Sequence, residues 1–296
     1  MDITGALALN KSDYMRFRSN LLQNDCATIL ALEKKYMRFL TKAVMRAAPS
    51  IEADFSGSTH LVPFWANYPP KQRGRQPKGT STPWSEYGDK CITPNLVKSI
   101  VYYDKSVRFP GIPFGGDTRF ATNDAFVHFD VKLTGPNDNP NEIVASPNQV
   151  SGDGIDWNES GIVNSVVTVQ GPRATMTFQP ELPPFYVEGT KIIVCLTYFL
   201  KAVYIVKDFG IQPLNYMELV CTPNGLLMFD GPKYANRQGL LIPGKDVKTF
   251  AHKRTRIRLA PLARLADWRC VKILRDGGGW KIQKRYDASL GKSLFR

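Results

Sequence analysis

Residues 125–133, AFVHFDVKL, alternate apolar and polar side chains, and the alternation predicts a β-strand. Successive side chains of a strand point to opposite faces, so Asp130 and Lys132 share one face while Phe129, Val131 and Leu133 share the other. Asp117 sits on a Gly-Gly turn thirteen residues before Asp130. If that turn folds back beside the strand, two carboxylates and an ammonium converge on one spot. Ahead of this stretch, residues 12–47 repeat apolar positions at threes and fours (Leu21, Leu22, Ile29, Leu32, Tyr36, Phe39, Leu40, Val44). That spacing predicts one helix or two, ended by Pro49-Ser50 and packed on the outside of the domain, with a dimer contact as the alternative role.

Residues 60–84 are dense in Pro, Gly and aromatics and carry Lys71, Arg73, Arg75 and Lys78 with no acid, which predicts a basic loop. Ser85–Val101 reads as helical for part of its length and holds Glu86 and Asp89. After the central strand, residues 135–160 read as a second long loop. From residue 162 the text turns to strands: IVNSVVTVQ, ATMTFQ, TKIIVCLTYFLKAVYIV and MELVCTPNGLLMF are rich in β-branched and aromatic residues, with Gly/Pro breaks. PELPPFYV, with three prolines, predicts an extended edge or a loop. No internal repeat is visible. The pattern fits a single mixed α/β domain decorated with long loops, with a basic C-terminal β region.

A chain of 296 residues has ample length for a core, and 43% hydrophobic with 22% charged residues is ordinary for a globular protein. The net charge of +13 is not ordinary, and it predicts a polyanionic partner, nucleic acid before an anionic membrane. The longest apolar runs, such as Ile192–Leu196, are too short to span a bilayer, and the start MDITGALALN has no basic segment suited to secretion. Five cysteines without close pairing fit reduced thiols in the cytoplasm, and His60, His128 and His252 are too scattered to suggest a metal cluster.

The charge is concentrated at the end of the chain. Between Lys245 and Arg296 stand 15 Lys and Arg against 4 Asp, a net of +11. Arg254, Arg256 and Arg258 alternate within KRTRIRL, so on a strand they form a basic comb on one face, suited to phosphates and guanine edges. A charged, solvated edge strand is the competing reading. DGGGW, residues 276–280, lacks the Lys-Ser/Thr of a phosphate loop and predicts a flexible turn.

Two carboxylates beside a lysine are what holds a divalent metal next to a scissile phosphate: hard oxygens anchor Mg²⁺, and the ammonium orients water or offsets developing charge. Acid-x-lysine also occurs at Glu33/Lys35 and Asp246/Lys248, but only Asp130/Lys132 combines a strand with an upstream acid on a turn. A solvated strand-face ion pair is the bland alternative for it. Asp89 or Glu86, on a helix, could reach the same metal. Asp138, after Gly135-Pro136, either caps its turn or accepts from a cytosine amino group.

PFWANYPPKQRGRQPKG, PWSEYGDK, GGDTRF, FDVKLTGPND, SPNQVSGDG, TVQGPR, PNGLLMF and PGKD followed by KRTRIR occur in this order. In these strings the chain resembles the BglI-like type II restriction endonucleases of the PD-(D/E)xK nuclease superfamily; the helical N-terminal region matches weakly. The resemblance implies a central mixed sheet flanked by helices, and a homodimer that binds double-stranded DNA at an interrupted GC-rich palindrome and hydrolyses both strands with Mg²⁺. By motif position it makes Asp117, Asp130 and Val131 metal ligands, Lys132 the catalytic lysine, and Asp89 a further acid near the metal. It makes Asp138, Lys245, Arg254 and Arg256 base-reading residues. It also implies a cognate DNA methyltransferase in the host that is not a physical subunit. It divides one domain into a helical region 12–48, a catalytic core of about 85–230 and a DNA-reading region of about 243–296. Three departures stand out: Gly116 replaces the motif's proline, Asp89 is a methylene shorter than the family's glutamate, and Val247 replaces a second acid. The last implies tolerance at one base pair of each half-site. The rival classes, a repressor-like DNA-binding protein and a structural RNA-binding protein, explain the basic comb but leave Asp117, Asp130 and Lys132 unused.

Overall fold

The alternating run folds as the second strand of a hairpin. In the computed structural model, which describes residues 9–56, 84–110, 118–159, 161–207, 212–230, 239–244, 253–284, 286–287 and 292–293 (84–90 and 286 onward by backbone alone), β1 (Thr118–Ala121) pairs antiparallel with β2 (Ala125–Thr134). β2 then pairs in parallel with β9 (Lys191–Tyr204), and β9 pairs antiparallel with β10 (Leu214–Thr222). β13 (Cys270–Asp276) and β14 (Gly279–Lys284) continue the sheet, and β8 (Phe185–Glu188) adds to the early half of β9. One parallel pair among antiparallel ones makes the sheet mixed, as the resemblance implies. β8 takes only the FYV end of the PELPPFYV segment, after the prolines, and it is an edge, paired among the described strands with β9 alone. The Gly277-Gly278 pair joins β13 to β14 as a two-residue hairpin with Gly277 at φ 58°, a value that suits glycine.

Two helices cover one face of this sheet. α1 (Lys11–Ser56) is broken at Asn24, Asp25 and Cys26, all with φ between 53° and 58°, so the predicted region is two helices in one run. Asn and Asp tolerate this left-handed geometry better than most residues. The helix does not end at Pro49-Ser50; it continues to Ser56 because Ile51 and Phe55 are fully buried beyond the proline. Burial of two such side chains, about 1.5–3 kcal/mol each, offsets much of the proline's cost of roughly 3 kcal/mol. α2 (Trp84–Tyr103) is helical throughout, across Pro94, and buries Ile92, Leu96 and Ile100. These side chains belong to the same buried cluster as Val127, Phe129, Leu196 and Leu200 of the sheet.

The opposite face is covered differently. Glu142–Ala145, placed inside a predicted loop, is a strand, β3, and it pairs with β12 (Thr255–Arg258), which pairs with β11 (Leu241–Pro243). Ile143 and Ala145 alternate inward and pack with Ile257, Leu241, Phe199 and Val220, a pattern too short to stand out in the sequence. Four short strands form two separate hairpins: β4 (Asp156–Asn158) with β5 (Gly161–Val163), and β6 (Val167–Gln170) with β7 (Thr175–Phe178). Helix α3 (Leu259–Leu265) follows β12. The predicted strand text GLLMF is instead a tight helical turn, Leu226–Asp230. The Asn224 side chain accepts from Leu226 N–H at 2.9 Å and donates to the Pro184 and Cys195 carbonyls at 2.7 Å each. Gly225 must be glycine, because a Cβ there would lie 1.6 Å from the Gly152 carbonyl oxygen.

A buried ion pair ties the layers together. Glu33 and Arg269 are both fully buried and meet at 2.5 Å, and Glu33 also accepts the Asn224 N–H at 2.7 Å. Burial pushes the Glu33 carboxyl up and the Arg269 guanidinium opposes the shift. The Glu33/Lys35 motif is therefore structural: Lys35 pairs with Asp124 at 2.5 Å. All five cysteines are free thiols, and no helix among the described residues is long and apolar enough to cross a membrane. Glu33→Ala leaves the buried Arg269 charge without its carboxylate, so urea denaturation should show a loss of about 3–5 kcal/mol, largely restored in Glu33→Leu/Arg269→Met. A loss below about 1 kcal/mol would remove this pair from the framework.

Candidate active site

β2 places Asp130 and Lys132 as its alternation requires. Phe129 is fully buried against the helical layer with Val131 and Leu133 beside it, while Asp130 and Lys132 point to the other face. A slip of one residue would drive a carboxylate and an ammonium into the apolar layer, so the register is strongly held. Asp130 is only 3% exposed, and its Oδ2 lies 2.6 Å from Lys132 Nζ. The Lys132 ammonium also lies 5.7 Å from the ring centroid of Phe199, the register partner of Asp130 on β9. His128, two residues before Asp130, is buried; burial pushes its imidazole down to about 3, with Arg119 adding to the shift. It therefore brings no positive charge to this face near neutral pH.

Gln149 completes this group. It ends the short helical turn Pro147–Gln149 and reaches back to β2. Its Nε2 donates to Asp130 Oδ1 at 2.6 Å, and its Oε1 accepts from Lys132 Nζ at 3.1 Å and from the Ser146 N–H at 3.0 Å.

The end of β2, the following turn, β3 and β12 enclose a cleft of about 520 Å³, lined by Lys132, Asp138, Asn139, Glu142, Val144 and Arg256 among others. Arg256 and Arg258 on β12, and Arg254 just before it, alternate with buried Thr255 and Ile257, so the comb exists in the burial pattern. Arg256 Nη1 meets Glu142 Oε2 at 2.6 Å across the pairing with β3. The Asp138 carboxylate accepts the Gly135 N–H at 2.9 Å and so caps its own turn. Beneath the turn, Lys201 is fully buried and donates to the carbonyls of Pro140 at 2.5 Å and Glu142 at 3.0 Å. Lys201 is the register partner of Lys132 on β9 and of Glu218 on β10, which in turn faces Lys272 on β13. A row of charged side chains thus crosses four strands on the cleft face.

Lys132, Asp138 and Arg256 therefore line one cleft, with Asp130 ion-paired to Lys132 and Arg254 just ahead of β12. Asp117, Lys245 and Val247 lie outside the described residues, as do Gly116, residues 60–83 of the expected basic loop, Asp246/Lys248, His60 and His252. Asp89 and Glu86 fall in the early part of α2, where only the backbone is described. Thr118, next to Asp117 in sequence, pairs with Phe129, next to Asp130, so the described hairpin runs up to a neighbour of each acid. Among the described residues no three His, Cys, Asp or Glu side chains gather at one point. The Asp130 carboxylate and the Val131 carbonyl are hard oxygen donors of the type Mg²⁺ takes, so the described part of the site fits a divalent ion that needs further ligands. Sequence reading missed Gln149, Glu142 and Lys201 as members of this cluster. Lys201 left a signal, a lone charge inside the apolar run IIVCLTYFLKAVY. Gln149 left no chemical signal of its own, only its place in the SPNQVSGDG string that carries the resemblance.

A mixed sheet that carries an acid-x-lysine pair beside a basic, cleft-lining strand defines a nuclease of the restriction-endonuclease class. The family model described as restriction endonuclease BglI matches residues 9–273. The type II restriction enzyme BglI of Bacillus subtilis is 36% identical over 257 residues, covering 77% of this chain and 85% of that protein. The crystal structure of BglI bound to its DNA recognition sequence superposes with a TM-score of 0.77 at 31% identity, covering 90% of this chain and 97% of that one. The tetrameric restriction endonuclease SfiI bound to cognate DNA shares the fold at a TM-score of 0.59 and 11% identity, over 89% of this chain and 91% of that one. The chain belongs to the BglI family of restriction endonucleases, whose class of activity is site-specific cleavage of DNA.

Lys201→Met removes the donor to two carbonyls of the cleft turn and leaves them without it in the interior. Urea denaturation should show a loss of about 1–3 kcal/mol, and the amides of residues 136–142 should exchange faster with solvent. Unchanged exchange there would show that the turn holds its shape without Lys201.

Proposed function

We propose that the protein is a Mg²⁺-dependent type II endonuclease that hydrolyses a phosphodiester in each strand of double-stranded DNA at an interrupted GC-rich palindrome. The observation that carries this reading is the shared cleft: Lys132, ion-paired to the buried Asp130, and the Arg256 side chain line one cavity, so a strand read by β12 passes the lysine of the pair. Asp117, Asp130 and Val131 hold the metal, with Asp89 as a further acid near it. A bound divalent ion neutralises the phosphate and acidifies a water. Lys132 offsets the negative charge that develops on the phosphate oxygens and orients the attacking water. Asp130, desolvated and fixed by Lys132 and Gln149, keeps its carboxylate in one orientation.

Arg254, Arg256, Lys245 and Asp138 read the bases. Arg256 is held by Glu142 before DNA arrives, which reduces the rotamer freedom lost on binding. Asp138 caps its turn through Oδ2 and keeps a carboxylate at the cleft. Cutting both strands calls for two such sites, and the described residues of one chain contain one, which supports a homodimer whose two-fold axis matches that of the palindrome. Val247 relaxes one base pair of each half-site. The organisation is a single domain: helical region, catalytic core and basic DNA-reading region, acting in the cytoplasm beside a cognate methyltransferase that protects the host site.

Digestion of a plasmid library with and without Mg²⁺, with all fragment ends sequenced, should give metal-dependent cuts at one interrupted palindrome. Intact DNA with retained specific binding would instead make the protein a non-catalytic DNA-binding protein. Asp130→Ala should abolish cleavage and leave specific binding in gel shifts largely intact; retained cleavage would remove Asp130 from the chemistry. Arg256→Ala should cost about 1–3 kcal/mol on the specific site and less on random DNA, and an equal loss on both would make it a phosphate contact.

A further inference from the structure

We propose that Gln149 is a positioning residue of the cleavage site, whose carboxamide orients the Asp130 carboxylate and the Lys132 ammonium together. The inference rests on the function proposed above and extends it to a residue that no acid-x-lysine motif includes. Chemistry dictates which way the carboxamide faces. A carboxylate can only accept, while an ammonium and a backbone N–H can only donate. The Gln149 amino group therefore serves Asp130 Oδ1 at 2.6 Å, and its carbonyl serves Lys132 Nζ at 3.1 Å and the Ser146 N–H at 3.0 Å.

The platform under Gln149 is rigid. Pro147 restricts the first residue of the turn, Gln149 N–H donates to the Ser146 carbonyl at 3.0 Å, and Val150 N–H donates to the Pro147 carbonyl at 3.3 Å. The Pro147 carbonyl also accepts the Glu181 N–H at 2.9 Å, and Val150 is fully buried in the core. A side chain held at its base and by a backbone N–H at its tip costs little further entropy to hold two charged groups.

An amide is the group this position requires. Asp130 and Lys132 face each other at 2.6 Å, so left alone the pair would satisfy itself and the lysine would follow the carboxylate. The Gln149 carbonyl gives the ammonium a neutral acceptor, which fixes its place without cancelling its charge. The Gln149 amino group holds Oδ1 and so limits rotation of the carboxylate. A glutamate here would keep the acceptor for Lys132 but would set a second carboxylate against Asp130, where repulsion replaces a charge-assisted hydrogen bond.

Gln149→Met and Gln149→Glu test the proposal in the full-length protein, with DNA affinity measured without metal, single-turnover cleavage at saturating Mg²⁺, and Mn²⁺ binding to the free protein by electron paramagnetic resonance. In both variants Mn²⁺ affinity and cleavage rate should fall by about 10–100-fold, with DNA affinity held within about twofold. Gln149→Glu separates positioning from structure: it keeps the shape and the acceptor for Ser146 and Lys132, so a purely structural residue would tolerate it. Mn²⁺ affinity per folded molecule and cleavage rate within about twofold of the parent in Gln149→Glu would overturn the proposal, whatever the stability of either variant. Asp130→Ala is run alongside. An inactive Asp130→Ala with unaffected Gln149 variants sinks this inference alone, and an active Asp130→Ala sinks the reading on which it stands.

Discussion

The period of two in β2 is the constraint on which the rest depends. Phe129, Val131 and Leu133 must bury against the helical layer, and a strand that meets this demand has no choice about where Asp130 and Lys132 go. Each large apolar side chain withdrawn from water contributes about 1.5–3 kcal/mol, and a reversed strand would lose that while desolvating an acid and an amine among hydrocarbons. The chemistry of the site is thus held in place by the apolar side of the same strand. Pairing with β9 in parallel extends the hold, because it sets Phe199 opposite Asp130 and Lys201 opposite Lys132.

The buried charges of Glu33, Arg269 and Lys201 are each answered by a partner. Glu33 and Arg269 neutralise each other where α1 meets the sheet, and the Asn224 N–H meets the remaining carboxylate oxygen. Lys201 is answered by backbone carbonyls, and in being answered it shapes the turn that carries Asp138 and leads into Glu142. Glu142 then holds Arg256. A line of contacts runs from the centre of the sheet through the turn to the strand that lines the cleft, so the groups that face DNA in the proposed function are extensions of the packed interior.

Much of this was legible in residue order, and the reasons for the rest are specific. The Asp130/Lys132 strand, the arginine comb, the edge character of PELPPFYV and the Gly277-Gly278 turn followed from local rules, since each depends on the alternation of a strand or the needs of a turn. The helix beyond Pro49 did not, because its continuation depends on what Ile51 and Phe55 touch. β3 was hidden within a loop-rich text, because a four-residue strand shows little pattern until its partner β12 is beside it. The tight turn at Leu226–Asp230 carries strand-like residues, and the hydrogen bonds of Asn224 together with the Gly152 backbone against Gly225 overrule them.

By itself the sequence determined the class of the protein, the face of β2 that carries Asp130 and Lys132 and the basic character of β12, since charge, periodicity and the order of motifs are properties of neighbours along the chain. Tertiary structure decided which of several acid-x-lysine pairs lies in a cleft: Glu33 went into a buried ion pair, while Asp130 met Lys132 beside the arginine strand. It alone brought Gln149 and Lys201 to the site, residues 19 and 71 positions from Asp130. The physical reason is range. Alternation acts over two residues and capping over four, whereas burial of charge is settled by whichever partners the folded chain brings within about 3 Å.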